Sequence, residues 1–485
     1  MKFNLGILKR REFKNSMWNT ADVLVLPILM LLVTPFFIKK LGPAEYGIWM
    51  IVNSIIVSLG IVNIGAGDAA IKFISKYNAL SDKQNIKRIV ASTFSLNVVI
   101  TGTIILLGTI LFFLIRNVNF LNISAAYMTL ASGSVLLGSV VFGMKQMEQL
   151  ALSIFKGFER YDVSSIMSII SKFLLLIGQF IVVYLGYSLI YVFLISAGTT
   201  VAVVFLEYLF VKFSISYISF LIRFDKGTIK EIFSFSSWSW TQSVLGIIAG
   251  HADRFVVITF AGPKFLAYYA LASTIGGQIH QVITATISWV FPKVSGKTER
   301  QENLLPLYYK LQFLVIIGGT FIIGVLLLFQ RQIFLTWLGA ETYSHSILLI
   351  KLFLYLAFVN LISIVPYFFL LGANLIRISA IFMLISVALT LIMMIIFYQF
   401  AAVNGLAYGK LISSLVSIPL MLLFVHYNII EKKDLKSGFI FYLPTLLITA
   451  GFYIENSYSF IFIGAAIILI KLLYNQKLKH ITAVA

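Results

Sequence analysis

The chain has 485 residues, of which 60% are hydrophobic and only 11% charged, and its mean hydropathy is +0.98. Soluble domains carry roughly 25% charged residues, so a composition this apolar requires the bilayer as its solvent. The net charge of +19 does not indicate a nucleic-acid partner, because the basic residues are spread between apolar runs instead of lining one face.

Taken in chain order, the sequence opens on Lys2, Lys9, Arg10, Arg11 and Lys14 ahead of an apolar stretch. That stretch is too long for a signal peptide and lacks an A-x-A-like cleavage site, so it is expected to stay as the first helix. Apolar runs then predict helices over 17–38, 47–67, 89–115, 124–144, 164–184, 189–211, 235–259, 267–291, 307–329, 347–371, 378–399, 405–427, 438–454 and 458–474. Each has about the 20 residues needed to cross a ~30 Å hydrocarbon core. The runs are continuous, unlike the alternating segments of a membrane barrel. The expected fold class is therefore all-α, a polytopic membrane protein of about 14 transmembrane helices.

Charge placement orients these helices. With both termini in the cytoplasm, the inner segments hold 28 of the 37 Lys and Arg, the outer loops hold five, and four stay inside helices. The positive-inside rule asks for that bias. The expected location is the cytoplasmic (inner) cell membrane. The absence of cysteine excludes disulfides and thiolate metal sites.

A shift of 220 positions lays Phe13, Ser16, Trp18, Gly42 and Pro43 on Phe233, Ser236, Trp238, Gly262 and Pro263. A second echo, offset by 215, pairs Lys156-Gly157 with Leu371-Gly372 at an inner corner. These echoes predict two parallel six-helix bundles, 1–222 and 223–430, joined by a basic loop around Arg223, Lys226 and Lys230 and suited to alternating access. Residues 431–485 are expected to add a further helix pair and a tail.

Several segments then carry a resemblance. They are Leu41-Gly42-Pro43-Ala44-Glu45-Tyr46-Gly47, Ile71-Lys72-Phe73-Ile74-Ser75-Lys76-Tyr77, Asp253-Arg254 with Gly262 and Tyr268-Tyr269, Trp337-Leu338-Gly339-Ala340-Glu341-Thr342-Tyr343, and Val403-Asn404-Gly405-Leu406-Ala407. In this order, over about 430 residues, the chain resembles the polysaccharide repeat-unit flippases of the multidrug/oligosaccharidyl-lipid/polysaccharide exporter superfamily. The resemblance implies a flippase moving an anionic polyprenyl-(pyro)phosphate-linked oligosaccharide from inner to outer leaflet for surface polysaccharide assembly. The partners it implies are that lipid-linked substrate, membrane lipids, and the glycosyltransferases and polymerase of the same pathway. Many relatives have twelve helices, whereas peptidoglycan-precursor flippases of the superfamily have fourteen, so a peptidoglycan-precursor flippase stands as an alternative.

Charged groups within the bilayer are the informative ones, since each costs about 2.5–3.5 kcal/mol to insert. Arg254, Lys351 and Lys410 form the first candidate set, as contacts for a diphosphate or an acidic sugar. Local ion pairing through Asp253 or snorkelling to the outer interface is the competing reading. Lys172 on the fifth helix and Lys72 at the inner end of the second are further substrate candidates; for Lys72 and Lys76, positive-inside anchoring is the alternative. Asp22, Asp253, His251 and His280 are candidates for a coupling ion. Asp22 can equally be a hydrated helix-end carboxylate, and His280 a neutral side chain bonded to a neighbouring helix. His251 and Arg254, three residues apart, should share a helix face, while Asp253 points away. Asp22 and Asp253 are the acids expected deep in the membrane.

Nothing in the sequence indicates an enzyme, a cofactor or a metal. The five histidines are scattered, and there is neither a Walker loop nor a metal-ligand spacing. The longest outer loop, about 330–346, leaves little room for the catalytic domain of a glycosyltransferase or polymerase. A multidrug exporter is the stronger rival, but cationic drugs call for cavity carboxylates. A membrane scaffold is the weakest reading.

Overall fold

The structure is a computed structural model that describes residues 5–118, 123–287 and 290–430. The helix pair expected within 431–485 lies outside these residues. The described residues are all-helical: α1 (Leu5–Ser58), followed by a 3-10 turn at Leu59–Val62, α2 (Ala66–Ala79), α3 (Lys83–Val118), α4 (Ala125–Gly157), α5 (Tyr161–Tyr184) and α6 (Leu189–Ser214). Then come α7 (Lys226–Ile287), α8 (Val290–Glu299), α9 (Leu305–Leu328), α10 (Gln330–Leu338), α11 (Ala340–Leu361), α12 (Ile364–Gly372) and α13 (Ile376–Val425), which ends in a π turn at His426–Ile430.

Among the described residues nine segments are long and apolar enough to cross a membrane. Three of them, Ala21–Val62, Trp240–Ile287 and Ile376–Ile430, have 42, 48 and 55 residues, about twice what one crossing takes. Each is interrupted where an outer loop is expected. Gly42 (φ 78°, ψ 158°) breaks α1, Gly262 (φ 73°, ψ 177°) breaks α7, and Ala401 with Ala402 (φ 48°, ψ −136°) breaks α13. The two glycines occupy a region of backbone space that is essentially closed to other residues. Three of the nine segments are thus double crossings, which makes twelve crossings among the described residues. They coincide with the first twelve predicted helices.

The break in α13 is a true reversal. Gly405 stands against the Phe397 backbone, Gly409 against Met393, and the hydroxyls of Thr390 and Ser413 lie 2.7 Å apart. In each of these pairs the residue numbers sum to nearly the same value, which is the signature of an antiparallel hairpin. The small-xxx-small spacing of Gly405 and Gly409 lets the two backbones touch, the packing that replaces the hydrophobic effect inside a bilayer. In α1, the tilted ring pair Phe37 and Trp49, with ring centroids 4.9 Å apart, flanks Gly42 in the same way.

The chain divides into two compact units, Met1–Ala267 and Tyr268–Ala485. In the first, α4 packs against α3, α5 and α6. The α3–α4 crossing is close enough for the Thr101 hydroxyl to donate to the Gly143 carbonyl at 2.9 Å. At one end Phe73, Ile74, Ile89, Leu150, Ile154 and Phe155 form a core that also takes in Ile218 and Ile232. The basic linker before α7 is therefore docked, with Arg88 holding Asp225 and the Arg223 N–H donating to Ser95 Oγ at 2.7 Å. In the second unit α9, α11, α12 and α13 enclose Tyr308, Phe358 and Phe369. Gln312 donates to the Ile362 carbonyl at 2.9 Å there.

The two glycines of the second echo make matching contacts. A β-carbon on Gly157 would stand 2.7 Å from Cβ of Ile74, and one on Gly372 would stand 2.5 Å from Cγ1 of Val294. Ile74 and Val294 are 220 positions apart, the same offset as Gly42 and Gly262. Both glycines end a helix and admit the equivalent helix of their own repeat, α2 or α8.

Candidate functional site

The Leu41–Gly47 segment can be assigned residue by residue. Gly42 makes the reversal. Glu45 accepts the Leu189 N–H at 3.0 Å, placing a carboxylate at the N-terminus of α6, where free N–H groups and the helix dipole favour negative charge. Tyr46 is buried and bonded to Thr34. Gly47 lies against the Pro263 carbonyl, so two equivalent corners of the repeat meet with no room for a side chain.

About two helical turns beyond Tyr46, α1 presents Ser54, which is fully buried. Its hydroxyl donates to the Met50 carbonyl at 2.9 Å, leaving two lone pairs to accept. Arg254 Nη1 donates to Ser54 Oγ at 3.3 Å, and His251 Nδ1 lies 3.2 Å from the same oxygen. Because the serine proton is already committed, Nδ1 must be the donor. His251 and Arg254 thus share one face, as their spacing implies.

No carboxylate lies within 4 Å of Arg254 among the described residues, and its Nε is buried without a hydrogen-bond partner. Asp253 is itself buried, on the adjacent face. The result is a guanidinium inside a membrane span, held by a neutral hydroxyl and two helices, with planar donor capacity left over. Such a group is suited to an oxyanion.

The other candidates fall into different settings. Lys172 Nζ bonds Asp22 Oδ1 at 2.5 Å and the Asp22 carbonyl at 2.7 Å, tying α5 to α1. The structure therefore joins a substrate candidate and a coupling-ion candidate in a single ion pair. Lys410 sits over the rings of Tyr269 and Phe353, with Nζ 5.8 and 5.5 Å from their centroids; this cation–π contact offsets part of its insertion cost. Lys351, half-buried on α11, makes no ion pair or side-chain hydrogen bond among the described residues. Arg254 belongs to the first compact unit, and Lys351 and Lys410 to the second. Lys72 and Lys76 are exposed on α2, each over its neighbouring ring, Phe73 or Tyr77, at 5.2 Å. His280 is half-buried on α7.

The expectation that Asp22 and Asp253 are the deep acids is corrected by Glu207 and Glu148. Glu207 lies within the apolar run of α6, 6% exposed, and Glu148 on α4 is 4% exposed. Lys145 Nζ bonds Glu148 Oε2 at 2.5 Å and Ser171 Oγ at 2.9 Å. The apolar run predicts a fourth helix ending at 144, but α4 runs to Gly157 and includes Lys145 and Glu148. A lone glutamate within the apolar run of α6 was the signal for Glu207.

A family described as "Polysaccharide biosynthesis protein" matches residues 13–296. A Shigella flexneri protein described as "Putative O-antigen transporter" is 22% identical over 371 residues, covering 73% of this chain and 83% of that protein. Among solved structures, an inward-facing multidrug resistance MATE family transporter of the MOP superfamily aligns with a TM-score of 0.68 at 16% identity, covering 84% of this chain and 97% of its own. The lipid II flippase MurJ in an inward closed conformation aligns with a TM-score of 0.68 at 16% identity, covering 96% and 99%. At that identity the structural likeness establishes the fold.

Proposed function

The chain belongs to the polysaccharide biosynthesis protein family, and from that premise we propose that it is a flippase for an anionic polyprenyl-(pyro)phosphate-linked oligosaccharide. It works in the inner membrane with both termini cytoplasmic, by alternating access of its two repeats, and it is a transporter with no catalytic step of its own. The polar sugar and phosphate cross through protein while the polyprenyl tail stays in lipid. Moving two negative charges out of a negative interior gains roughly 4–5 kcal/mol per 100 mV.

The observation that carries the reading is Arg254, a guanidinium in a membrane span with no carboxylate partner among the described residues and a buried, unmet Nε. A charge left this way is too costly to serve packing alone, and its geometry is that of a bidentate phosphate ligand. Lys351 and Lys410 are proposed as further cationic contacts in the second unit. Lys72 is proposed as a contact at the inner mouth.

The test is a clean deletion in a strain lacking redundant flippases. Lipid-linked repeat units should accumulate on the inner leaflet, with sugar made but not displayed. Normal surface polysaccharide would sink the proposal. Lost resistance to cationic dyes with normal polysaccharide would favour a multidrug exporter.

A further inference from the structure

Glu207 is the most costly side chain in the first unit that the proposed transport reading leaves unused. It sits within α6, and both of its carboxylate oxygens are buried with no hydrogen-bond partner. An ionised carboxylate in that setting would lose its hydration with nothing in exchange, and such a group neutralises instead. The elements packed against α6 are α4, α5 and α1. From α4, Glu148 and Lys145 are the charged groups that act on Glu207. From α5, Ser171 Oγ accepts a hydrogen bond from Lys145 Nζ, whereas Lys172 is committed to Asp22. From α1, Glu45 serves the far end of α6 at Leu189. Beside Glu207, Tyr208 donates its hydroxyl proton to the Met147 carbonyl at 3.1 Å, not to the carboxyl.

We infer that Glu207 is a proton-binding site in the first unit, and that its proton decides which carboxylate holds Lys145. With the proton on, Glu207 is a neutral acid and Lys145 stays with Glu148 and Ser171, the arrangement seen. When that proton is released to water, the new carboxylate on α6 competes with Glu148 on α4 for the single ammonium. One proton bound or lost at Glu207 thus changes how α4, α5 and α6 are tied together. A metal cation is a poor occupant, because such an ion needs several oxygen ligands and neither Glu207 oxygen has a polar neighbour in bonding range, while the Lys145 ammonium already stands nearby. The inference does not depend on the identity of the transported lipid.

The test is infrared difference spectroscopy on the purified full-length protein in lipid nanodiscs, following the carbonyl stretch of protonated carboxyls through an alkaline titration. The parent should show a protonated-carboxyl band at neutral pH that disappears on raising the pH, and Glu207→Gln should lack it. Two further variants keep the test decisive should Glu207→Gln be poorly made. Glu148→Gln releases Lys145 to pair with Glu207, so the band should vanish at lower pH than in the parent. Lys145→Met removes the ammonium, so the band should persist to higher pH. A parent band that survives in folded Glu207→Gln overturns the assignment. A titration midpoint unmoved by both Glu148→Gln and Lys145→Met overturns the switch.

Discussion

Arg254 and Lys172 are both cations within the membrane, and the difference between them is their partner. Lys172 has Asp22, whereas Arg254 has the Ser54 hydroxyl. Removing Arg254 should therefore cost function before it costs structure. Arg254→Ala is expected to lower transport about 10- to 100-fold at normal membrane abundance, the range of one or two charge-assisted hydrogen bonds. Arg254→Lys should restore transport only in part, because an ammonium cannot grip a phosphate bidentately. Lys39→Ala, at an exposed position near the outer end of the first crossing, is the control, and Lys351→Ala should fall between the two. Transport assays matched for protein abundance decide this; an Arg254→Ala protein that moves substrate at the parental rate would remove the guanidinium from the site. The Asp22–Lys172 pair should behave in the opposite manner. Either single neutralisation, Asp22→Asn or Lys172→Met, leaves a poorly compensated charge and should lower thermal stability, with roughly 3–5 kcal/mol as the ceiling for a fully buried pair. The double variant should recover most of that loss in a detergent melting assay.

At the scale of elements, the corners depend on backbone approach. Gly47 faces the Pro263 carbonyl, and this contact cannot yield by turning a side chain. Gly47→Ala should therefore sharply reduce membrane abundance and melting temperature, whereas Gly102→Ala, which would meet nothing within 4 Å, should be neutral. Equal behaviour of the two in a fluorescence-detected melting series would contradict the close corner. The turn of α13 carries strain of its own: Ala402 holds a positive φ with ψ at −136°, a conformation costing of order 1–3 kcal/mol for a residue with a β-carbon. Ala402→Gly should stabilise the hairpin despite the extra chain entropy that glycine loses on folding. The linker before α7 is anchored by charge at the surface. Hydrogen bonding from Arg88, together with the Thr228 and Gly227 N–H groups, lowers the Asp225 carboxyl to about 2. A depressed carboxylate contributes stability above its unfolded value and loses it as pH falls through about 2, so linker docking should not change across the physiological range.

For the molecule as a whole, the orientation rests on charge and is testable directly, since the chain has no cysteine background. A cysteine at Ser295 or Ser437 should react with impermeant reagent only from the cytoplasm, and one at Asn119 or Ser344 only from outside. Outside labelling at Ser437 would break either the count of twelve crossings before it or the orientation.

Apolar run length and basic-residue placement determined much by themselves. Leu, Ile, Phe and Val in stretches as long as a bilayer is thick leave the backbone one way to satisfy its hydrogen bonds, so the all-helical multi-pass class and its first twelve crossings followed from sequence. The Gly42–Gly262 echo also marked the two reversals, because only glycine adopts that backbone conformation cheaply. What composition could not supply was pairing between distant residues. That Lys172 meets Asp22 across 150 positions, that Arg254 and His251 converge on Ser54, and that Lys145 stands between Glu148 and Ser171 depend on how helices rotate and approach. In lipid those choices are set by small-residue contacts and by polar groups seeking partners, not by a hydrophobic stripe. A period in the sequence reports which residues tolerate lipid; only the packed bundle decides which charge meets an opposite charge, as Lys172 meets Asp22, and which meets a neutral hydroxyl, as Arg254 meets Ser54.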